Sequence, residues 1–242
     1  MTCLVDLHVH TDASDDGCST LAQLAAAAHA AGLHAMAVTD HNQCTPVPQE
    51  LEGVVLIPGC EVSTQSGHVT GLFLERPLDL ERLRRDGLPT AAAACEEIHR
   101  CGGLAVLAHP YQKRNASPCT EADYDGVEGY NARAEFKVRG ANMMAQQLAQ
   151  RLGLPAVGGS DGHSRHEVGN AYTEIQAEDC TLEKLREAIL NGRCRPVLVR
   201  PTPHFRKGLS QFRQTRKKGG GVAAIGKGIL YLGYSVLLDL RP

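Results

Sequence analysis

Residues 3–10, Cys-Leu-Val-Asp-Leu-His-Val-His, begin with an apolar run of strand length and end in two histidines. Residues two apart on a β-strand lie on the same face, so the rings of His8 and His10 are predicted to point the same way. One buried histidine is often a core residue, but two on one face, followed by Asp15 and Asp16, need polar partners or a metal ion. The segment therefore predicts a strand that carries metal ligands at its carboxyl end.

The same arrangement recurs after later apolar runs. We predict strands over residues 34–39, 54–60, 104–108 and 155–158, each followed by a histidine or an acidic residue. The residues that follow are Asp40-His41, Glu61, His109, and Asp161 with His163. Because the carboxyl ends of the strands in βα units meet at one mouth, where such folds hold their active sites, we expect these side chains to converge.

Helical patterns lie between the strands and are bounded by capping residues and glycines. We predict helices over residues 21–31, 90–101, 135–152 and 181–190, and further strands over residues 69–74, 126–130, 171–175 and 195–199. Strands that alternate with helices predict βα units around a mainly parallel sheet. At 242 residues, the chain is long enough to use most of its length in one such domain.

The candidate ligands are rich in histidine and include carboxylates but no cysteine. They are His8, His10, His41, His68, His109, His163, Asp15, Glu61 and Asp161. This set is too large for one ion and suits two or three divalent ions such as Mn²⁺, Zn²⁺ or Fe²⁺, with Glu61 as a bridge. Clustered divalent ions clamp the attacking and leaving oxygens and activate water near neutral pH, and phosphoester hydrolysis is the reaction that most needs this.

Five motifs resemble, in their order, those of the PHP (polymerase and histidinol phosphatase) superfamily. They are Asp6-Leu7-His8-Val9-His10-Thr11, Thr39-Asp40-His41, Gly59-Cys60-Glu61, Ala108-His109-Pro110 and Gly159-Ser160-Asp161-Gly162-His163-Ser164. The resemblance covers residues 1–200, and within the superfamily the chain looks like the small stand-alone metal-dependent phosphoesterases. It implies an α/β fold, a distorted (β/α)7 TIM-like barrel, with up to three divalent metals at the carboxyl ends of the strands.

The same resemblance implies how the ligands are shared. One ion would be held by His8, His10, Glu61 and Asp161, a second by Asp15, His41 and His163, and a third by Glu61, His68 and His109. Asp15 is chosen because its distance after His10 matches the small phosphoesterases, and Asp16 remains the alternative. Asp6 is expected to orient a neighbouring residue rather than to bind metal.

Substrate phosphate needs cations beyond the metals. Lys113 and Arg114 follow the His-Pro motif, where the resembling phosphoesterases carry a basic residue, and we expect one of them to contact phosphate. Arg165 is the second candidate, and Asn131 and Arg133 are further candidates at the rim. Arginine suits planar, bidentate recognition of phosphate. The alternative for each basic residue is a solvated surface charge.

Charge is divided unevenly along the chain. Residues 1–192 hold 14 Lys and Arg against 26 Asp and Glu, whereas residues 193–242 hold 11 against a single Asp. Residues 201–242 are therefore predicted to form a basic tail behind the phosphoesterase domain of residues 1–200. Its last part is mostly apolar, but Lys227 and Asp239 oppose membrane insertion, at about 2.5–3.5 kcal/mol for a charge near the middle of a span. Docking on the body, peripheral contact with an anionic membrane or nucleic acid, and a true span all remain open.

The nine cysteines are odd in number, and no two have Cys-x-x-Cys spacing. We therefore expect free thiols in a reducing compartment, rather than a disulfide framework or a thiolate zinc site. The first residues lead directly into a strand without a secretory signal pattern, which predicts a cytoplasmic protein, peripheral to the membrane if the tail binds there. The sequence does not indicate an oligomeric state.

These observations predict a metal-dependent phosphoesterase that acts on a small phosphorylated metabolite or nucleotide. One alternative is exonuclease-like activity on oligonucleotide ends, which the basic tail would favour. Hydrolysis of a C–N bond is a second, although paired basic residues at the rim favour phosphate. A third is a non-catalytic, metal-stabilised module docked by its tail, although every ligand position of the motifs is filled.

Overall fold

A computed structural model of the chain describes residues 1–219 and 221–240. Its strands are β1 (Thr2–Val9), β2 (Ala35–Val38), β3 (Glu50–Leu51), β4 (Val54–Thr64), β5 (Gly67–Leu72), β6 (Leu104–Ala108), β7 (Gly126–Asn131), β8 (Ala156–Gly159), β9 (Ala171–Gln176) and β10 (Cys194–Leu198). Its helices are α1 (Leu21–Ala30), α2 (Leu80–Leu83), α3 (Ala91–Arg100), α4 (Ala141–Leu152), α5 (Leu182–Leu190), α6 (His204–Lys217) and α7 (Val222–Asp239).

The strands form one sheet that nearly closes into a barrel. Their order is β10-β9-β1-β2-β4-β5-β6-β7-β8, with β3 paired to β4. The barrel nearly closes where the last strand, β8, approaches β1 and β9. The backbone N–H of His10, after β1, donates to the carbonyl of Gly162, after β8, over 2.8 Å. The hydroxyl of Thr173 on β9 also bonds the backbone of Gly158 on β8. This arrangement confirms the predicted distorted TIM-like barrel.

The prediction of a mainly parallel sheet was wrong, because the sheet is mixed. The pairs β1–β2, β2–β4, β6–β7 and β7–β8 are parallel, but β4–β5, β5–β6, β1–β9 and β9–β10 are antiparallel. A two-residue turn at Gln65-Ser66 joins β4 to β5, and such a short turn allows only antiparallel pairing. Glu61 consequently lies inside a strand, and β5 starts at the mouth of the barrel, where it carries His68.

Three predicted helices begin where the sequence indicated. The side chain at each N-cap accepts a bond from a backbone N–H of the first turn, and these caps are Thr20, Thr90 and Thr181. The predicted helix over 135–152 is shorter than expected. Ala134–Phe136 forms a separate 3-10 turn, and α4 starts after Gly140, whose φ of +80° is outside the helical range.

The expectation of free cysteines needs one correction, because Cys3 and Cys180 form a disulfide across a sequence separation of 177 residues. The barrel brings the start of β1 next to the loop that precedes α5, and neither the count nor the spacing of the cysteines indicates this proximity. The other seven cysteines are free.

Helices α6 and α7 pack against each other as a C-terminal hairpin. The carboxylate of Asp239 accepts bonds from the first backbone N–H groups of α6, at His204 and Phe205, both over 2.7 Å. The guanidinium of Arg133 donates to Ser210 of α6 over 3.1 Å and so ties the hairpin to the barrel. Among the described residues, α7 is the one helix long and apolar enough to cross a membrane by length and composition.

Candidate metal centre

The barrel brings every predicted ligand except Asp15 into contact with the others at its mouth. His8 and His10 extend from β1 with ring centroids 5.1 Å apart, and Glu61 and His68 lie on the β4–β5 hairpin. The remaining members follow strands and are His41 after β2, His109 after β6, and Asp161 and His163 after β8. Groups of three within this set have ligand atoms within 4.8 Å of one another, as a shared ion would require.

Glu61 lies at the centre of the cluster. Its Oε1 is 2.7 Å from Nδ1 of His68 and 2.9 Å from Nε2 of His109. Its Oε2 is 2.7 Å from Nδ1 of His41 and 3.5 Å from Nε2 of both β1 histidines. A carboxylate whose two oxygens face different histidines can bridge two metal ions. That bridging role is the one predicted for Glu61 from the sequence.

The loop after β1 places Asp16, rather than Asp15, beside the histidines. Asp16 Oδ2 lies 3.1 Å from Nε2 of His163 and 3.6 Å from Nε2 of His41. The side chain of Asp15 is 51% exposed and forms an ion pair with Lys218 over 3.3 Å. Both aspartates line the cavity described below, but the spacing that favoured Asp15 selects the one that pairs with Lys218 rather than the one beside the histidines.

The donor atoms fit divalent metals. Nδ1 of His8 is 3.0 Å from the carboxylate of Glu128, which favours the tautomer that leaves Nε2 with a free lone pair. The Nε2 atoms of His8 and His10 are buried and have no hydrogen-bond partner among the described residues, and the nearest polar atom to Oε2 of Glu61 is Nδ1 of His41. Buried polar atoms are normally paired. Two unpaired imidazole nitrogens beside buried carboxylates are therefore best explained as ligand atoms for metal ions.

The electrostatics of the cluster couple its buried imidazoles to its buried carboxylates. Burial and two neighbouring histidines lower the pKa of His10 to about 3, so its ring is neutral. Burial acts to raise the pKa of Glu61 and of Asp161, but the surrounding imidazoles hold both well below their usual range. Burial acts to lower the pKa of His41, but the carboxylates of Glu61 and Asp16 outweigh it and raise the pKa to about 11. A bound cation would take the place of the proton that these carboxylates retain there.

The sequence did not identify Glu128, which supports the cluster from behind. Besides its contact with His8, it accepts the backbone N–H of His109 over 2.8 Å and the side-chain amide of Asn131 over 3.0 Å. Glu128 is buried in the middle of β7. A carboxylate in an apolar, buried strand requires partners, and that signal in residues 126–131 could have revealed it.

The segments that carry the ligands after β6 and β8 are held in unusual backbone conformations. His109 and Asp161 have φ values of +27° and +52°. Residues other than glycine rarely adopt such positive φ values, and those that do are concentrated at functional sites. Asp6 braces the second of these segments by accepting the backbone N–H groups of Ser160 and Gly169 over 2.8 and 2.9 Å. Its burial raises its pKa to about 6. Asp6 thus orients the chain next to a ligand.

A cavity of about 570 Å³ opens onto the cluster. The cations that line it are Arg84, Lys113, Arg133, Lys137, Lys207 and Lys218. Of the predicted phosphate contacts, Lys113 thus lines this cavity, whereas Arg114 lines a neighbouring one of about 250 Å³. Arg165 is exposed and lies outside both linings. Asn131 is buried behind the cluster, where its amide donates to Asp161 over 3.3 Å.

Comparisons with known proteins agree with this geometry. The PHP domain family matches residues 6–112, and the PHP-associated family matches residues 139–194. The uncharacterized protein MJ1587 of Methanocaldococcus jannaschii is 30% identical over 145 residues, which cover 52% of this chain and 81% of the relative. A probable phosphatase of Vibrio campbellii is 29% identical over 199 residues, which cover 69% of this chain and 80% of the relative.

A solved structure shows the same fold. A two-domain protein from Bacteroides vulgatus, which contains a predicted PHP-like metal-dependent phosphoesterase, superposes with a TM-score of 0.61 at 20% identity. The match covers 82% of this chain and 65% of that protein. The ordered motifs, the barrel and the family matches on both halves of the body lead to one conclusion: the chain belongs to the PHP family.

Proposed function

We propose that this protein is a metal-dependent phosphoesterase that acts on a small phosphorylated metabolite or nucleotide. The observation that carries the proposal is the buried cluster of imidazoles and carboxylates, with unpaired nitrogens on His8 and His10, which faces a cavity lined by cations. Its volume of about 570 Å³ is within the range of about 300–1,000 Å³ that is typical of small-ligand sites. The name of the Vibrio campbellii relative, a probable phosphatase, supports the same reaction.

The residues present could hold the ions in overlapping groups. These groups are His8, His10 and Asp161; His10, His41 and His163; and His41, Glu61 and His68. The position of Asp16 beside His41 and His163 makes it a further ligand of the second group. A divalent cluster bound there would polarise the phosphoryl oxygens and lower the pKa of water. We expect two or three of Mn²⁺, Zn²⁺ or Fe²⁺.

Several side chains of the cavity are positioned to bind and orient the phosphoryl group. Lys113 lines the cavity next to His109 and Gln112, where its ammonium would neutralise non-bridging oxygens. The amide of Gln112 donates to Asp161 over 3.3 Å, and the amide of Asn131 donates to the same oxygen. These two bonds fix the carboxylate so that it does not reorient when substrate binds. Arg165 is a weaker candidate for phosphate binding because it lies outside the cavity.

The test is release of inorganic phosphate from a panel of nucleotides and sugar phosphates by protein loaded with Mn²⁺. The proposal expects release from at least one monoester by the native protein and none by a folded His10→Ala variant. Release only from oligonucleotide ends would favour the exonuclease-like alternative, and release of ammonia would favour C–N hydrolysis. No turnover of any of these substrates would favour the non-catalytic module.

We further propose that the outer face of α7 binds an anionic membrane surface. Ile229, Leu230 and Leu237 are exposed by 56%, 75% and 59%, which is unusual for large aliphatic side chains on one helix. The neighbouring helix is basic, with Arg213 and Arg216 among its cations. An apolar face flanked by cations is typical of interfacial helices and is of no use to a nucleic acid. We therefore expect the protein to be cytoplasmic and peripheral to the membrane.

Co-sedimentation with vesicles tests this second proposal. Native protein should bind vesicles that contain anionic lipid at low salt, and a Leu230→Ser/Leu237→Ser double variant should bind them much less. Val199→Ser, which changes an exposed valine outside the hairpin, should bind as the native protein does. Absence of native binding at low salt, or binding to an oligonucleotide duplex in place of vesicles, would contradict it.

A further inference from the structure

One cation of the cavity comes from the C-terminal hairpin, beyond both family-matched segments. Lys207 of α6 is only 7% exposed, and its side chain lines the cavity that opens onto the metal cluster. Its ammonium has no ion pair or hydrogen bond among the described residues. The nearest interaction that stabilises it is the ring of Phe136, whose centroid is 4.8 Å away.

The neighbouring cation, Arg133, is fully paired, unlike Lys207. Nε and Nη2 of Arg133 donate to Glu167 over 2.9 and 2.6 Å, and Nη1 donates to Ser210. The buried carboxylate of Glu167 is therefore already used by Arg133. Lys207 is left beside Arg133 and Lys137, and burial together with the Arg133 guanidinium lowers the pKa of its ammonium well below the usual value.

A purely structural role does not explain this placement. A buried charge without an ion pair is disfavoured. The carboxylates of Asp161 and Glu167, which act on Lys207 without forming an ion pair, and the ring of Phe136 compensate only part of its desolvation. An exposed position on the same helix, such as those of Arg216 and Lys217, would avoid that penalty. An anion delivered into the cavity would satisfy Lys207 and favour its charged form.

The helix presents a whole polar face to the cavity. Lys207, Gln211, Gln214 and Lys218 follow one another at helical spacing of three or four residues, and all line the cavity. The helix is also fixed over the Asp16 loop, because the ammonium of Lys217 donates to the carbonyls of residues 12 and 14 over 3.0 and 2.7 Å. These contacts make α6 one wall of the site, opposite the metal ligands.

We propose that Lys207, with Lys137 beside it, binds an anionic oxygen of the substrate inside this cavity. The inference rests on the proposed phosphoesterase function and deepens it, because it makes α6 a substrate-binding element. The ligand chemistry is an oxyanion, with two sources that the experiment separates. The oxygen belongs either to the phosphoryl group that is cleaved or to a second phosphate or carboxylate of the same substrate.

The experiment measures binding of inorganic phosphate by calorimetry, with and without Mn²⁺, for the native protein and for Lys207→Met, Lys207→Gln, Lys207→Arg and Lys184→Met. Lys184 on α5 is ion-paired with Glu178 and is not among the residues that line the cavity, so it gives a matched control. The neutral Lys207 variants should bind phosphate about tenfold more weakly or worse, as expected for loss of a charged partner. Lys207→Arg should retain most of the affinity, and Lys184→Met should equal the native protein. Thermal unfolding identifies any variant that does not fold.

Steady-state kinetics then separates the two sources. If KM rises for every monoester, Lys207 contacts the phosphoryl group that is cleaved; if it rises only for substrates with a second anionic group, Lys207 contacts that group. Folded Lys207→Met with phosphate affinity and KM within about twofold of native would overturn the inference. If the native protein hydrolyses no phosphoester yet loses phosphate binding on Lys207→Met, the proposed function fails while the anion site stands. If the native protein does not bind phosphate at all, the anion site fails.

Discussion

Replacement of Glu128 by glutamine should displace His8 from metal binding without removing any atom of the cluster. The two carboxylate oxygens of Glu128 both accept bonds: Oε1 faces Nδ1 of His8, and Oε2 receives the donors of His109 and Asn131. A glutamine has one acceptor oxygen, which would remain with the two donors at the Oε2 position. Its NH₂ group would then face Nδ1 of His8, and that nitrogen would have to become the acceptor.

The consequence is a change of tautomer. If Nδ1 of His8 gives up its proton, Nε2 carries it and no longer offers the lone pair that we assign to the metal. Loss of such a supporting carboxylate typically costs about 10–100-fold in metal affinity or activity. That range corresponds to about 1.4–2.7 kcal/mol of binding free energy. We expect Glu128→Gln to fall within it, because one ligand is misdirected while the others stay in place.

Competition with a chelator would measure the change in Mn²⁺ affinity, and turnover at saturating metal would be measured alongside. Glu174→Gln is the matched control, because Glu174 pairs with Arg195 on the outside of the sheet. Mn²⁺ affinity of Glu128→Gln within about threefold of native would refute the assigned roles of Glu128 and His8.

Three further changes test other parts of the structure. Asp16→Asn should lower both the bound metal, measured by atomic emission, and the activity by about tenfold or more. Asp15→Asn should leave the metal content unchanged. Equal effects of the two variants would contradict the loop geometry. A hydrogen bond from Arg100 lowers the pKa of the Glu97 carboxyl from 4.5 to about 2. The ionised Glu97 therefore stabilises the fold above pH 4.5, and this part of the unfolding free energy is lost as the pH falls to 2. Because its arginine partners are half exposed, we expect this loss to be about 1–2 kcal/mol, seen as a steeper acid dependence of urea unfolding for native protein than for Glu97→Gln. Gly159→Ala would place a Cβ 2.8 Å from the backbone nitrogen of His8 on β1. This clash should reduce the free energy of unfolding by about 1–3 kcal/mol. A urea midpoint equal to that of the native protein would show that the barrel closes differently.

Local patterns predicted most of the barrel because each strand is an apolar run and each ligand lies at or near the end of one. The threonine caps and glycine stops of α1, α3 and α5 depend on neighbouring residues and were visible for the same reason. The antiparallel β4–β5 hairpin was missed because β4, which continues to Thr64, was predicted to end at Cys60, although Ser66-Gly67 is a pair typical of turns.

The parts of the site that could not be predicted depend on long-range packing. Asp15 and Asp16 are chemically identical neighbours, and only the fold of their loop decides which one faces His163. Glu128 has no neighbouring motif residue, and its role depends on β7 lying beside β1 in space. Lys207 belongs to a segment that the sequence indicated only as a basic tail, with docking on the body as one alternative, and only the docking of α6 brings it into the cavity.

The most direct test of the account is a titration of metal-stripped protein with Mn²⁺ that follows bound metal and phosphate release from a monoester together. We predict no release without metal, a rise as two or three ions bind per chain, and neither full loading nor turnover in a folded His10→Ala variant. Full activity of the metal-stripped protein, or native turnover by His10→Ala, would contradict the assignment of this cluster as the catalytic metal centre.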